Sequence, residues 1–336
     1  MVLKPLIQKN EIRHAYTLLE KQMNSRATKV KTILGWKGEN KKFTVHWHHD
    51  LRMWHYYDSE YAENRYWCPY GVDDPNEIKM VGITVEINFN YQGYGRRVAG
   101  TFISDDNGDI YLAHSGKVGG GRRGIGKEAF WKFYRGNQIV SVRWPDKVDA
   151  EVICIGKIGS PSLPAQIAHF VNEVARFKQS VTNGSAKLLL QEGSLTNPKF
   201  TPEFTGKRRG YLPHDTIESV CNHGLIVSVL SRILEDKGFH AANDRFRDLY
   251  LYDDDRHITT LFEIKTDIST SSTYTSIGQL LFHGVSQDPR PRLILVIPGT
   301  PDARTKKVLN KLNIEILGYS LSGSEPEFLN LGTLLK

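Results

Sequence analysis

Two rhythms of hydrophobic and polar positions divide the chain. The stretch from about Asn10 to Met23 carries apolar residues at helical spacing, and polar, Lys-rich sequence follows it. Between Thr32 and Val152 the period drops to two. Apolar and polar residues alternate in FTVHWHH and in ITVEINF, and Asp106-Asn107-Gly108-Asp109 reads as a turn between the strands TFIS and IYLAH. A helix is predicted from about Leu163 to Lys178, opened by Ser-Pro-Ser-Leu-Pro. Residues 181–213 carry Asn-Gly, Asn-Pro and Lys-Arg-Arg-Gly with little periodicity and read as a linker.

Beyond the linker, helical and strand patterns alternate. Asp215 or Thr216 can cap a helix whose Ile217, Val220, Leu225, Val229, Ile233 and Leu234 mark an apolar stripe, ending near Gly238. A strand from about Asp248 to Tyr252, a polar turn over Asp253–His257 and a strand from Ile258 to Lys265 come next. A helix from about Tyr274 to Gly284 follows, then a buried strand RLILVIP, a helix ARTKKVLNKL and a final strand IEILGY. The expected organisation is therefore a β-rich domain over 1–180, a linker over 181–213 and an α/β domain over 214–336.

Composition narrows the function classes. Hydrophobic residues at 40% and charged residues at 24% fit a globular chain and exclude wholesale disorder. No apolar run approaches the roughly 20 residues that cross a bilayer, and the first residues lack the apolar core of a secretory signal. Cys68, Cys154 and Cys221 lie far apart, which suggests neither a disulfide framework nor a thiolate zinc site, so a cytoplasmic location is expected. The net charge of +7 tilts the partner toward a polyanion. From Lys117 to Lys147 eight Lys or Arg residues face two acidic ones, so the tilt is concentrated in the β-rich domain.

The chemistry lies in the second domain. Asp248 opens one strand and Glu263-Ile264-Lys265 closes the next, with fourteen residues between Asp248 and Glu263. Strand alternation places Glu263 and Lys265 on one face while Phe262 and Ile264 enter the core. Folding the hairpin brings Asp248 beside them. Two carboxylates make a hard oxygen site suited to Mg²⁺, and the Lys265 ammonium can orient a nucleophile or offset developing charge on phosphorus. The competing expectation is a solvated Glu263–Lys265 ion pair on an exposed strand face.

On these residues the chain, over roughly Thr216 to Tyr319, resembles the PD-(D/E)xK nuclease superfamily, with Arg247 where the motif's Pro would stand. The resemblance implies a restriction-endonuclease-like α/β core with a central mixed sheet flanked by helices, and Asp248, Glu263 and Lys265 as its catalytic centre. It further implies Mg²⁺ bound by Asp248 and Glu263, with Mn²⁺ able to substitute. Gln279 in YTSIGQLLFHG is similar to the Gln-x-x-x-Tyr element of RecB-like members, with His283 in place of Tyr. On the preceding helix, where many members carry an acidic residue, the chain offers Glu218 and Asn222-His223, and His223 joins the candidates.

Three other features carry weaker signals. Gly121-Arg-Arg-Gly-Ile-Gly126-Lys127 has phosphate-loop spacing, but Glu128 stands where a Mg²⁺-binding hydroxyl should be. A basic loop that meets a nucleic-acid backbone through Lys117, Arg122, Arg123 and Lys127 is the better reading. His46, His48, His49 and His55 lack a second well-spaced ligand pair, so aromatic strand packing is expected there rather than zinc. The nearby Trp and Tyr residues are expected to be core for the most part, with a few free to stack on an extruded base. The combined expectation is a two-domain, Mg²⁺-dependent endonuclease on double-stranded DNA, in restriction or defence, with the first domain supplying site or modified-base specificity. Double-strand cleavage would suit a homodimer. The alternatives are a repair or recombination nuclease and a DNA-binding module with an inactive core.

Overall fold

The computed structural model describes residues 2–36, 39–95, 98–119, 124–134, 138–182, 214–244, 246–323 and 325–335. The described residues fall into two units, one of residues 2–134, 138–182 and 214–218, the other of residues 219–335.

The N-terminal unit is β-rich. The alternation in FTVHWHH produces the strand Glu39–His48, which pairs antiparallel with Thr28–Trp36 and Met53–His55 inside a six-stranded sheet. The Asp-Asn-Gly-Asp turn joins Gly100–Ser104 to Ile110–His114 in a five-stranded sheet. Asp105 shapes that turn: its carboxylate accepts the backbone N–H groups of Asn107 and Asp109 at 2.9 and 3.0 Å. The helices Lys9–Asn24 and Leu163–Thr182 complete the unit, with the short helix Lys127–Phe133 inside the stretch expected to be β. That short helix buries only Phe130, too little apolar periodicity to mark it in sequence. ITVEINF also departs from expectation. It breaks into Val85–Glu86 and Phe89–Asn90, which pair in different sheets, and the Asn88 side chain between them accepts the Cys68 N–H at 2.8 Å.

The histidine-rich strand packs as expected of an aromatic face. His46 stands opposite His55 with the rings stacked at 5.1 Å, His48 Nε2 lies 3.3 Å from His55 Nδ1, and His55 Nε2 meets Asn24 Oδ1 at 3.0 Å. Trp47, Trp54 and Trp67 fill the core with Leu34, Val45 and Val81. All three cysteines are free thiols and buried.

The C-terminal unit is an α/β core on a six-stranded mixed sheet. Its strands, in spatial order, are His240–Ala242, Leu249–Tyr252, Ile258–Ile264, Arg292–Pro298, Ile314–Ser320 and Glu327–Leu329. The central pairs are parallel and the outer ones antiparallel. Parallel neighbours need crossover helices, supplied by Thr270–Val285 and Ala303–Lys311. The first packs through Leu280 and the second through Leu309 on the sheet face of Leu261, Leu293 and Leu295. The helix His214–Asp236 covers the other face, where Ile226, Val227, Leu230 and Leu234 meet Phe262, Ile264, Ile294 and Val296. It runs down to Gly238, whose φ of +85° ends the turn. Helices thus flank the mixed sheet on both sides, and the β-rich region followed by this core is the fold class expected.

Candidate active site

Burial of both sheet faces changes the surroundings of the Glu-x-Lys pair. Phe262 and Ile264 do enter the core on the side of the first helix, but the opposite face is covered as well. Glu263 is only 2% exposed. A solvated ion pair on an exposed face is therefore not what this strand carries.

The hairpin register pairs Leu249 with Phe262, so Asp248 stands one step further along, across from Glu263. Asp248 Oδ2 accepts the Ile264 N–H at 2.7 Å, which ties the first carboxylate to the strand that bears the second. Lys265 extends the pairing of that strand: its N–H donates to Val296 O at 2.9 Å, and its carbonyl accepts the Tyr319 hydroxyl at 3.1 Å. The side chain leaves this pinned backbone and places Nζ 2.6 Å from Glu263 Oε1 and 3.2 Å from Gln279 Oε1. Gln279 sits on the helix Thr270–Val285, whose start is fixed by Ser269 accepting the Ser272 N–H.

His223 reaches the same point from the first helix. Its Nε2 lies 3.2 Å from Ile264 O and 3.3 Å from Asp248 Oδ2. A carbonyl only accepts, so the proton of the neutral ring is on Nε2 and is shared between the two oxygens. Burial pulls the His223 pKa below its ordinary value and Lys265 adds to that, with Asp248 pulling the other way. The imidazole is thereby a neutral brace on Asp248. Glu218, one turn earlier on that helix, does not take its place, because the contact to Asp248 comes from His223.

The electrostatics are set by dehydration. Burial, then the adjacent Asp248 carboxylate, push the Glu263 carboxyl up to about 8, while Lys265 works against the rise. A second carboxylate close enough to oppose the ionisation of Glu263, with the Lys265 ammonium at Glu263 Oε1, suits a cation as a further partner. The donors are hard oxygens of the kind Mg²⁺ prefers, and two protein carboxylates are the number such an ion commonly takes. Among the described residues no group of three or more His, Cys, Asp or Glu side chains forms a metal cage.

Asp248, Glu263, Lys265, Gln279 and His223 thus converge within the C-terminal unit. Tyr319 was not singled out in the sequence; it touches Lys265 only through the parallel register of distant strands, and no local pattern encodes that. Lys117 and Lys127 are exposed in the N-terminal unit, Lys127 at the start of its short helix. Arg122 and Arg123 lie outside the described residues. No family model and no curated protein matches the chain. Among solved structures, a repair endonuclease from Pyrococcus abyssi aligns over 95% of this chain and 98% of its own, at 12% identity and a TM-score of 0.23. A likeness that low carries no argument about fold or activity. No helix among the described residues is long and apolar enough to cross a membrane.

Proposed function

We propose that the chain is a metal-dependent endonuclease of the PD-(D/E)xK kind, hydrolysing phosphodiester bonds in DNA. The observation that carries this reading is the bridge from the buried Glu263 through the half-buried Lys265 to Gln279, with the buried Asp248 beside it. A carboxyl buried beside an ammonium contributes little net stability, because its dehydration offsets the attraction. Its presence at the end of one strand, beside Asp248 on the neighbouring strand, is better explained by chemistry than by folding.

Asp248 and Glu263 would hold Mg²⁺, or Mn²⁺ in its place, and the ion when bound would polarise the phosphate and acidify a water. Lys265 keeps its ammonium at the position where a water would approach phosphorus. As the water oxygen bonds to phosphorus and the P–O bond to the leaving oxygen breaks, that ammonium offsets the added negative charge. Gln279 fixes the ammonium from the side of the helix. His223 fixes the Asp248 carboxylate and carries no charge of its own. The basic residues of the N-terminal unit, Lys117 and Lys127 among them, would supply phosphate contacts. Site or modified-base specificity in a restriction or defence role would belong to that unit.

Lys265→Ala tests the assignment. It should abolish nicking of supercoiled DNA with Mg²⁺ while metal and DNA binding stay within a few-fold of wild type. Its backbone bonds to Val296 and from Tyr319 do not need the side chain. Nicking by this variant at the wild-type rate would refute the site.

A further inference from the structure

Beside the site the C-terminal unit leaves large rings in water. Phe246, two residues before Asp248, is 55% exposed, and Phe282, three residues after Gln279, is 75% exposed. His283 joins them: its ring centroid lies 6.5 Å from that of Phe246 and 5.3 Å from that of Phe282. The Phe246 end is pre-shaped. Asp244 Oδ1 accepts the N–H groups of Phe246 and Arg247 at 2.9 and 3.1 Å, and Asp244 Oδ2 accepts Arg247 Nε at 2.8 Å. The Asp244 carboxylate is thereby paired with a guanidinium, which offsets a charge that would repel a phosphate backbone. Further along the same helix, Tyr274 is 71% exposed. Gly278 lies between Tyr274 and Phe282 with nothing near its missing Cβ, so the surface separating those rings is bare.

We propose that Phe246, His283 and Phe282 form a stacking row that receives unpaired bases of single-stranded DNA next to the Asp248–Lys265 site. The inference rests on the nuclease reading and names the form of its substrate. Exposed rings are costly to leave in water and mark a binding surface. Every base offers a π-face to such rings, whatever the sequence. The His283 ring is tilted by 41° to Phe246 and stands edge-on to Phe282 at 82°, so each ring offers its own face. In a duplex the base faces are covered by their neighbours, and the row therefore suits bases that have left a continuous stack. Its two ends lie two residues from Asp248 and three from Gln279 along the chain, and His283 is close enough to Asp248 to feel its charge, so an unpaired nucleotide on the row would lie near the bond to be cut. The preferred substrate is then a single strand, or a duplex opened at the cleavage point, rather than uninterrupted B-form DNA.

Binding of the full chain to a short single-stranded oligonucleotide and to its duplex, measured by anisotropy in chelator, tests this without chemistry. Phe246→Ala and Phe282→Ala should each weaken single-strand affinity on the order of 10-fold and leave duplex affinity unchanged. Phe282→Trp should restore it. Both side chains are exposed, and an unchanged melting midpoint verifies that the variants fold; the Trp variant keeps the comparison open if an alanine variant does not. Single-strand affinity untouched by both alanine changes overturns the proposal, as does an equal loss on duplex. Conversion of a dimer to a monomer by Phe282→Ala, with single-strand affinity intact, overturns it too and makes the row a self-association surface. The outcomes separate from those of the nuclease reading. Stacking without any cleavage sinks only the nuclease, and cleavage with indifferent rings sinks only the row.

Discussion

At the scale of single residues, Glu263 has the most measurable consequence. Burial and the neighbouring Asp248 carboxylate push its carboxyl up to about 8, against about 4.3 for an unfolded glutamate. Between those values the folded state holds a proton that the unfolded state has lost. This contribution to stability is present at low pH and is lost as pH rises through the folded pKa. Glu263→Gln cannot lose that proton. In chelator its melting midpoint should therefore gain on wild type as pH rises from 5 to about 8, then run parallel above it. A constant offset across that range would contradict the buried, proton-holding carboxyl. Asp248, Glu263 and Lys265 could be grouped from the sequence because hairpin spacing and strand alternation are local, and Gln279 joined them only through the resemblance of its helix to a RecB-like element. The burial of the pair could not, since it depends on a helix that returns to the sheet after the strand has ended.

Elements show the same limit from the other side. Strands and helices of the C-terminal unit were legible because the apolar periods are long and the breaks are polar. Arg292–Pro298 is a run of apolar residues, and Asp302 caps the next helix by accepting the N–H groups of Arg304 and Thr305. His240–Ala242 and Glu327–Leu329 were not legible, being three-residue edge strands recruited by their neighbours. Where two elements meet at close range, a methyl group is enough to test the packing. A Cβ on Gly318 would collide with the backbone carbonyl of Gly299, which is held by the Gly299 N–H to Tyr319 O bond at 2.8 Å. Gly318→Ala should cost about 1–3 kcal/mol, read from urea unfolding. Because Tyr319 is the residue that bonds Lys265 O, cleavage should fall as well. Replacing the cap, Asp302→Ala, should cost about 1 kcal/mol in the same urea unfolding and leave cleavage unchanged, since that helix packs on the sheet through Leu309.

Over the whole molecule, buried histidines dominate the response to acid. Burial lowers the pKa of His48, His55, His114, His169 and His223, so all five are neutral in the fold. Unfolded histidines take up protons below about 6.5. The stability they represent is complete above that pH and is lost as pH falls toward the folded values, about 4 for His48 and about 3 for His114. These five, with His46 and His283 shifted the same way, outweigh the opposite slope of Glu263 below pH 6. The melting midpoint in chelator should fall steeply between pH 6.5 and pH 4.5, and a flat profile there would show that the histidines are hydrated. None of the three thiols meets solvent. A cysteine placed at Asp254, in the exposed hairpin turn at the end of the strands opposite Asp248, would therefore be the one site open to a maleimide dye. The native chain is already a blank background for single-fluorophore labelling.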